Sequence, residues 1–127
     1  MIVELRLPRW RAGRRWAFEE FSRRRGDFAL AGVVLFYDAE KNGHAESIQI
    51  GAIGVADTPI RLTAAESVVQ GKVITDTIVR EAGAAASESV HPADDIHAPG
   101  EYRRALIGVL TERALARASG LSLQERA

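Results

Sequence analysis

Apolar and polar positions alternate with a period of two in the first half of the chain and follow a helical period in the second. Ile2-Val3-Glu4-Leu5-Arg6-Leu7 alternates up to Pro8 and predicts a strand with one wet face. Arg15–Arg24, carrying Trp16, Phe18 and Phe21 among charges, predicts a short helix that Gly26 stops. Phe28–Tyr37 is a long apolar strand, and Asn42-Gly43 marks a type I′ hairpin turn, whose two central positions need positive φ. Ser47–Gly51 alternates as the returning strand, with Gly51 and Gly54 predicting a bulge or a close backbone approach. Ile60–Leu62 offers a third short strand after the turn at Asp57-Thr58-Pro59.

From there the pattern is helical. Thr63-Ala64-Ala65-Glu66 has the spacing of a capping box, opening a helix that stops near Gly71. A second helix is expected over about 75–86, followed by a loop from His91 to Pro99. The last runs from Glu101 to Ala118, with Tyr102, Leu106, Val109, Leu110 and Ala114 as its apolar stripe and Gly120 as its stop. Leu121–Ala127 should fray. Strands first and helices after them imply an α+β domain: a largely antiparallel sheet of three to four strands, with about three helices packed on one face. Residues 1–127 read as one domain.

Composition narrows the function. Without cysteine the chain can make neither disulfides nor thiolate ligands to an iron–sulfur cluster. No apolar segment marks a signal peptide or a spanning helix, so a cytoplasmic location away from membranes is the expectation. The formal charge is zero but uneven: the first 25 residues hold eight arginines against three glutamates. Arginines interleaved with Trp10, Trp16, Phe18 and Phe21 are one format of a nucleic-acid surface. Neutral overall charge opposes phosphate-led binding, so a solvated or partner-docking arginine face is expected and no nucleic acid.

His91, Asp94, Asp95 and His97 are the one group with metal-ligand residue types. They lack the i, i+4 spacing that would put two histidines on one helix face, so no metal is expected there. Asp94 or Asp95 is expected to cap the following helix or to pair with arginines. A nucleophile elbow, a P-loop and a strand-linked GxGxxG are all missing, and no catalytic residue is assigned.

Three landmarks follow one another in a set order: Arg23-Arg24-Arg25-Gly26-Asp27-Phe28, then Asp57-Thr58-Pro59-Ile60-Arg61-Leu62-Thr63-Ala64-Ala65-Glu66, then Gly100-Glu101-Tyr102-Arg103-Arg104. In this order and spacing, over roughly residues 1–119, the chain resembles the C-terminal domain of the FAD-binding (medium) subunit of molybdenum hydroxylases, the carbon monoxide dehydrogenase and xanthine dehydrogenase group. The resemblance implies the same α+β architecture. It also implies an oxidoreductase component that shields the flavin and packs on partner subunits, without catalysis of its own.

By this resemblance FAD belongs to the full-length subunit, in an N-terminal FAD-binding portion that is absent from this sequence. None is expected on this chain alone, since no loop here has glycine amides converging at a helix N-terminus. The implied partners are that portion, a molybdenum subunit and an iron–sulfur subunit. Gly26-Asp27-Phe28 resembles the place where a tyrosine of some relatives approaches the flavin, which makes Phe28, Asp27 and Arg24 the candidate cofactor-binding residues. Two readings of Phe28 stay open at this level, a ring against flavin and the first residue of a core strand. For Arg23, Arg24 and Arg25 they are contact with phosphate or an acidic partner and a solvated helix end. Apolar residues between Trp10 and Phe28, left without that portion, predict self-association. The alternative function is a free-standing binding or oligomerisation module that reuses the fold.

Overall fold

The computed structural model describes residues 1–122. The strands are β1 (Arg14–Phe21), β2 (Ala31–Ala39), β3 (His44–Ile53), β4 (Ile60–Arg61) and β5 (Lys72–Val73), and the helices are α1 (Thr63–Val69), α2 (Asp76–Glu88) and α3 (Gly100–Ser119). The first three strands form an antiparallel meander in the order β1-β2-β3, and β4 and β5 pair with opposite ends of β3's free edge. The expected α+β architecture is therefore present: β4 is the short strand expected at Ile60–Leu62, and the two-residue β5 is an addition to the sheet.

Sheet periodicity decides which face is covered. Ala17, Val33, Leu35, Tyr37, Ile48, Ile50 and Ala52 point inward and are buried, under α1 and α3. The opposite face carries Trp16, Phe18, Val34 and Ile53, all exposed. Helix α2 packs on α1 and α3. Helix α3 is thus buried on two sides, through Ile107, Leu110, Thr111, Ala114, Leu115 and Ala118. Its stripe is rotated by one residue from the expected one. Tyr102 and Val109 are 44% and 45% exposed, and the Tyr102 ring meets Phe21 edge-on at the margin of the core.

Several sequence expectations are corrected. Residues 2–7 form no strand, and Ile2, Val3, Leu5 and Leu7 are exposed, because no strand among the described residues pairs with them. The segment expected as a helix over 15–24 is β1. Its aromatics alternate across a pleat, and pairing with β2 overrides the weak helical reading. The long strand begins at Ala31, so Phe28 lies outside it. The hairpin loop has four residues, and only Gly43 among them takes positive φ (82°), so the turn is not type I′. The bulge lies opposite Tyr37, at Ser47 (φ 54°) and Ile48, and Gly54 marks a close backbone approach. Helices α2 and α3 lie where expected, with Thr75 capping α2 and Gly120 closing α3. Fraying of the last residues falls, from residue 123 on, outside the described residues.

The capping box is not formed either: Leu62 is the N-cap of α1 and no side chain caps it. Glu66 instead turns inward, accepting the Ile50 amide at 2.8 Å and both Arg61 donors at 2.6 and 2.7 Å. Burial pushes its carboxyl up, but the bonds from Arg61 and Ile50 prevail and hold it below the usual carboxylate range. Glu66→Gln removes the charge from these bonds and is expected to cost about 1–2 kcal/mol, at the low end because Arg61 is half exposed. Urea unfolding of the variant measures it, and an unchanged midpoint would rule out this role.

Candidate functional site

Two loops meet at one end of the sheet. The first leaves β1 and returns at Leu30, whose amide bonds the Phe21 carbonyl at 2.8 Å. Inside it the Asp27 amide reaches the Arg24 carbonyl at 3.1 Å, with Gly26 at positive φ, and the Ser22 hydroxyl bonds the same carbonyl. The Asp27 carboxylate accepts the Phe28 amide at 2.8 Å. This turn directs Phe28 outward, 94% exposed, two residues before the buried Leu30. A core-strand role for Phe28 is excluded by that exposure.

The second loop connects α2 to α3. Asp95 Oδ1 accepts the amides of His97 and Ala98 at 2.8 and 2.9 Å, and Asp94 Oδ1 accepts the Gly100 amide at 2.7 Å, at the start of α3. Among the described residues no group of histidines and carboxylates is arranged to hold a metal ion. Both aspartates have the polar roles expected of them, Asp94 at the helix start and Asp95 with an arginine.

That arginine is Arg103, in the first turn of α3 and 7% exposed. Its guanidinium donates to the Leu30 carbonyl at 2.6 Å, the Gly54 carbonyl at 3.1 Å and Asp95 Oδ2 at 2.6 Å. One side chain thus joins the entry of β2, the exit of β3 and the α2–α3 loop. The planar fork of arginine suits three acceptors in different directions better than a lysine ammonium does. Arg103 and the amides of Ala98 and His97 hold the Asp95 carboxyl well below its ordinary range. The Arg23 guanidinium also bonds the His97 carbonyl, linking the two loops.

The result is a cleft of about 330 Å³ lined by Arg23, Arg24, Asp27, Phe28, Ala29, Leu30, His97 and Arg103. The three candidates Phe28, Asp27 and Arg24 are therefore neighbours, while Arg25 is exposed and does not line the cleft. Three guanidiniums and one carboxylate, Asp27, line it, and the Phe28 ring stands exposed. Such a cleft suits an anionic or planar aromatic group. Sequence reasoning assigned Arg103 no site role. The available signal was its spacing: Arg103, Ile107, Leu110, Thr111 and Ala114 fall on one face of α3, so its charge had to be buried and partnered.

Comparison with known proteins gives a consistent result. The family model of the CO dehydrogenase flavoprotein C-terminal domain matches residues 16–118. The 6-hydroxypseudooxynicotine dehydrogenase complex subunit alpha of Paenarthrobacter nicotinovorans is 31% identical over 93% of this chain and 40% of its own length. The carbon monoxide dehydrogenase medium chain of Hydrogenophaga pseudoflava is 34% identical over 91% of this chain and 40% of its own. A solved structure of carbon monoxide dehydrogenase from the same organism, lacking the Mo-pyranopterin moiety of the molybdenum cofactor, superposes with a TM-score of 0.83 at 34% identity. It covers 90% of this chain and 39% of that one. The chain thus spans about two fifths of the length of these relatives.

Proposed function

The chain belongs to the CO dehydrogenase flavoprotein C-terminal domain family, and on that premise we propose that it covers one side of an FAD ring held by another portion of a molybdenum hydroxylase medium subunit. The observation that carries this reading is Phe28, 94% exposed at the mouth of the cationic cleft and set there by the Asp27 turn. At that exposure the ring adds no packing to the fold of this domain. It suits a planar aromatic partner.

The residues fit part of the cofactor. Phe28 would lie against the ring system and exclude water from it, Asp27 would hold the turn, and Arg24 would meet phosphate oxygens or an acidic neighbour. A complete dinucleotide site is not built here. Gly100 is the only glycine opening a helix among the described residues, and its amide is taken by Asp94. The chain alone is therefore expected to hold no flavin. When bound, FAD supplies the electron-transfer chemistry, and this domain supplies shielding and contact with molybdenum and iron–sulfur subunits.

Phe28→Ala in a subunit that carries its FAD-binding portion is expected to change flavin fluorescence and reduction potential, while the unfolding midpoint of the domain stays the same. An aromatic contact is worth about 1 kcal/mol, so the change is modest. Flavin properties identical to those of the parent protein would remove Phe28 from the site.

A further inference from the structure

We infer that residues 2–7 are a strand of the portion that precedes this domain in a medium subunit, where they pair with a free sheet edge and bury Val3, Leu5 and Leu7. The inference rests on the reading of this chain as part of such a subunit. Ile2-Val3-Glu4-Leu5-Arg6-Leu7 has the length and the alternation of a half-buried strand. Here it pairs with no strand among the described residues, and Ile2, Val3, Leu5 and Leu7 are 79–88% exposed.

The segment already has two distinct sides. Arg6 Nε donates to Glu4 Oε1 at 2.6 Å, a bond between residues two apart that sets both side chains on one side of the backbone, as in a strand. The same period assigns Val3, Leu5 and Leu7 to the other side. One side is thus polar and paired with itself, and the other is three branched apolar side chains in water. A lone strand of this kind is not stable without a sheet.

What covers it follows from where the domain begins. The matched family domain starts at residue 16. Similarity to the Paenarthrobacter subunit takes in 118 residues, more than residues 16–127 contain, so it runs ahead of the domain into the first fifteen. The match is to a C-terminal domain and spans 40% of that relative, so the relative's remaining length lies mainly before it. The present domain meanwhile holds the chain only from Trp10 onward. Trp10 meets Phe36 edge-on at 5.9 Å, and Arg11 and Arg14 bond Asp38 at 3.2 and 2.7 Å. Among the described residues, the side-chain hydrogen bonds of residues 2–7 stay within the segment. Its order ends where the family domain's own contacts end, and its apolar side waits for the neighbouring portion.

Hydrogen exchange read by mass spectrometry tests this, on the isolated chain and on a medium subunit that carries the preceding portion. Residues 2–7 should exchange like an unstructured peptide in the isolated chain and about 100-fold more slowly in the longer subunit. Leu5→Asp should abolish that protection, whereas Arg6→Ser, on the polar side, should keep it. In the isolated chain both variants, and deletion of residues 1–7, should leave the urea unfolding midpoint unchanged. If Leu5→Asp unfolds the longer subunit but not the isolated chain, residue 5 is buried only beside the preceding portion, as inferred. Equal exchange in the two proteins would overturn the inference, as would protection in the isolated chain by its own sheet or a second copy. Protection that survives Leu5→Asp, or is lost in Arg6→Ser, would overturn it too. The flavin readout is separate: unchanged flavin in Phe28→Ala with residues 2–7 protected would end the flavin contact and leave this pairing standing.

Discussion

Replacing Arg103 by alanine is expected to cost about 2–4 kcal/mol of folding stability, the cost of leaving buried carbonyls without a donor. The acceptors orphaned together are the carbonyls of Leu30 and Gly54, whereas Asp95, 45% exposed, is rehydrated. Arg103→Lys keeps the charge but cannot bond in three directions, and its stability should fall between the parent and the alanine variant. Urea unfolding reads both losses. A cost under about 1 kcal/mol for Arg103→Ala would mean that water replaces the guanidinium freely. The pair also has a pH signature. The folded-state pKa of Asp95 is depressed, so its contribution is complete above the unfolded-state value near 4 and is lost as pH falls below it. In Arg103→Ala this acid sensitivity should be weaker than in the parent chain.

Gly54→Ala is the second large effect, expected at about 3 kcal/mol or more. Gly54 has φ +81°, where a side chain costs about 1–2 kcal/mol. An added Cβ would also stand 2.4 Å from the Leu30 carbonyl oxygen, a backbone atom that cannot rotate away. That oxygen is the one Arg103 holds, so relieving the clash displaces the acceptor and loosens the cleft as well. Thermal unfolding of Gly54→Ala checks the magnitude, and a change of only a degree or two would contradict the close approach. The double variant with Arg103→Ala should lose less than the two single losses combined, because both act on the Leu30 carbonyl.

The legible part of the sequence was the part governed by local rules. Thr75 before α2, Gly120 after α3 and the alternation in Ser47–Gly51 each act within a few residues, and those elements are found where expected. The order of landmarks carried the family. β1 was misread because Trp16, Phe18 and Phe21 suit an amphipathic helix as well as a strand, and only the register with β2 decides between them. Glu66 shows the same limit. Thr63-x-x-Glu66 has capping spacing, yet the bare amide of Ile50, sixteen residues earlier, takes the carboxylate. At the site, the Gly26-Asp27-Phe28 turn could be read directly, whereas Arg103 reaches acceptors 73 and 49 residues away that no spacing rule connects.

Those separations bear on how the chain folds during synthesis. The β1–β2–β3 meander closes through nearby residues and can form early, but its inner face over β1 and β2 is covered by α3, the last of the described helices. Non-local closures of this kind are slow, because the entropy of joining distant segments is lost before their contacts form. A ribosome making this protein therefore holds a half-covered sheet, with Ala17 and Leu35 bare to solvent, until α3 emerges. Chaperone demand should be concentrated in that interval.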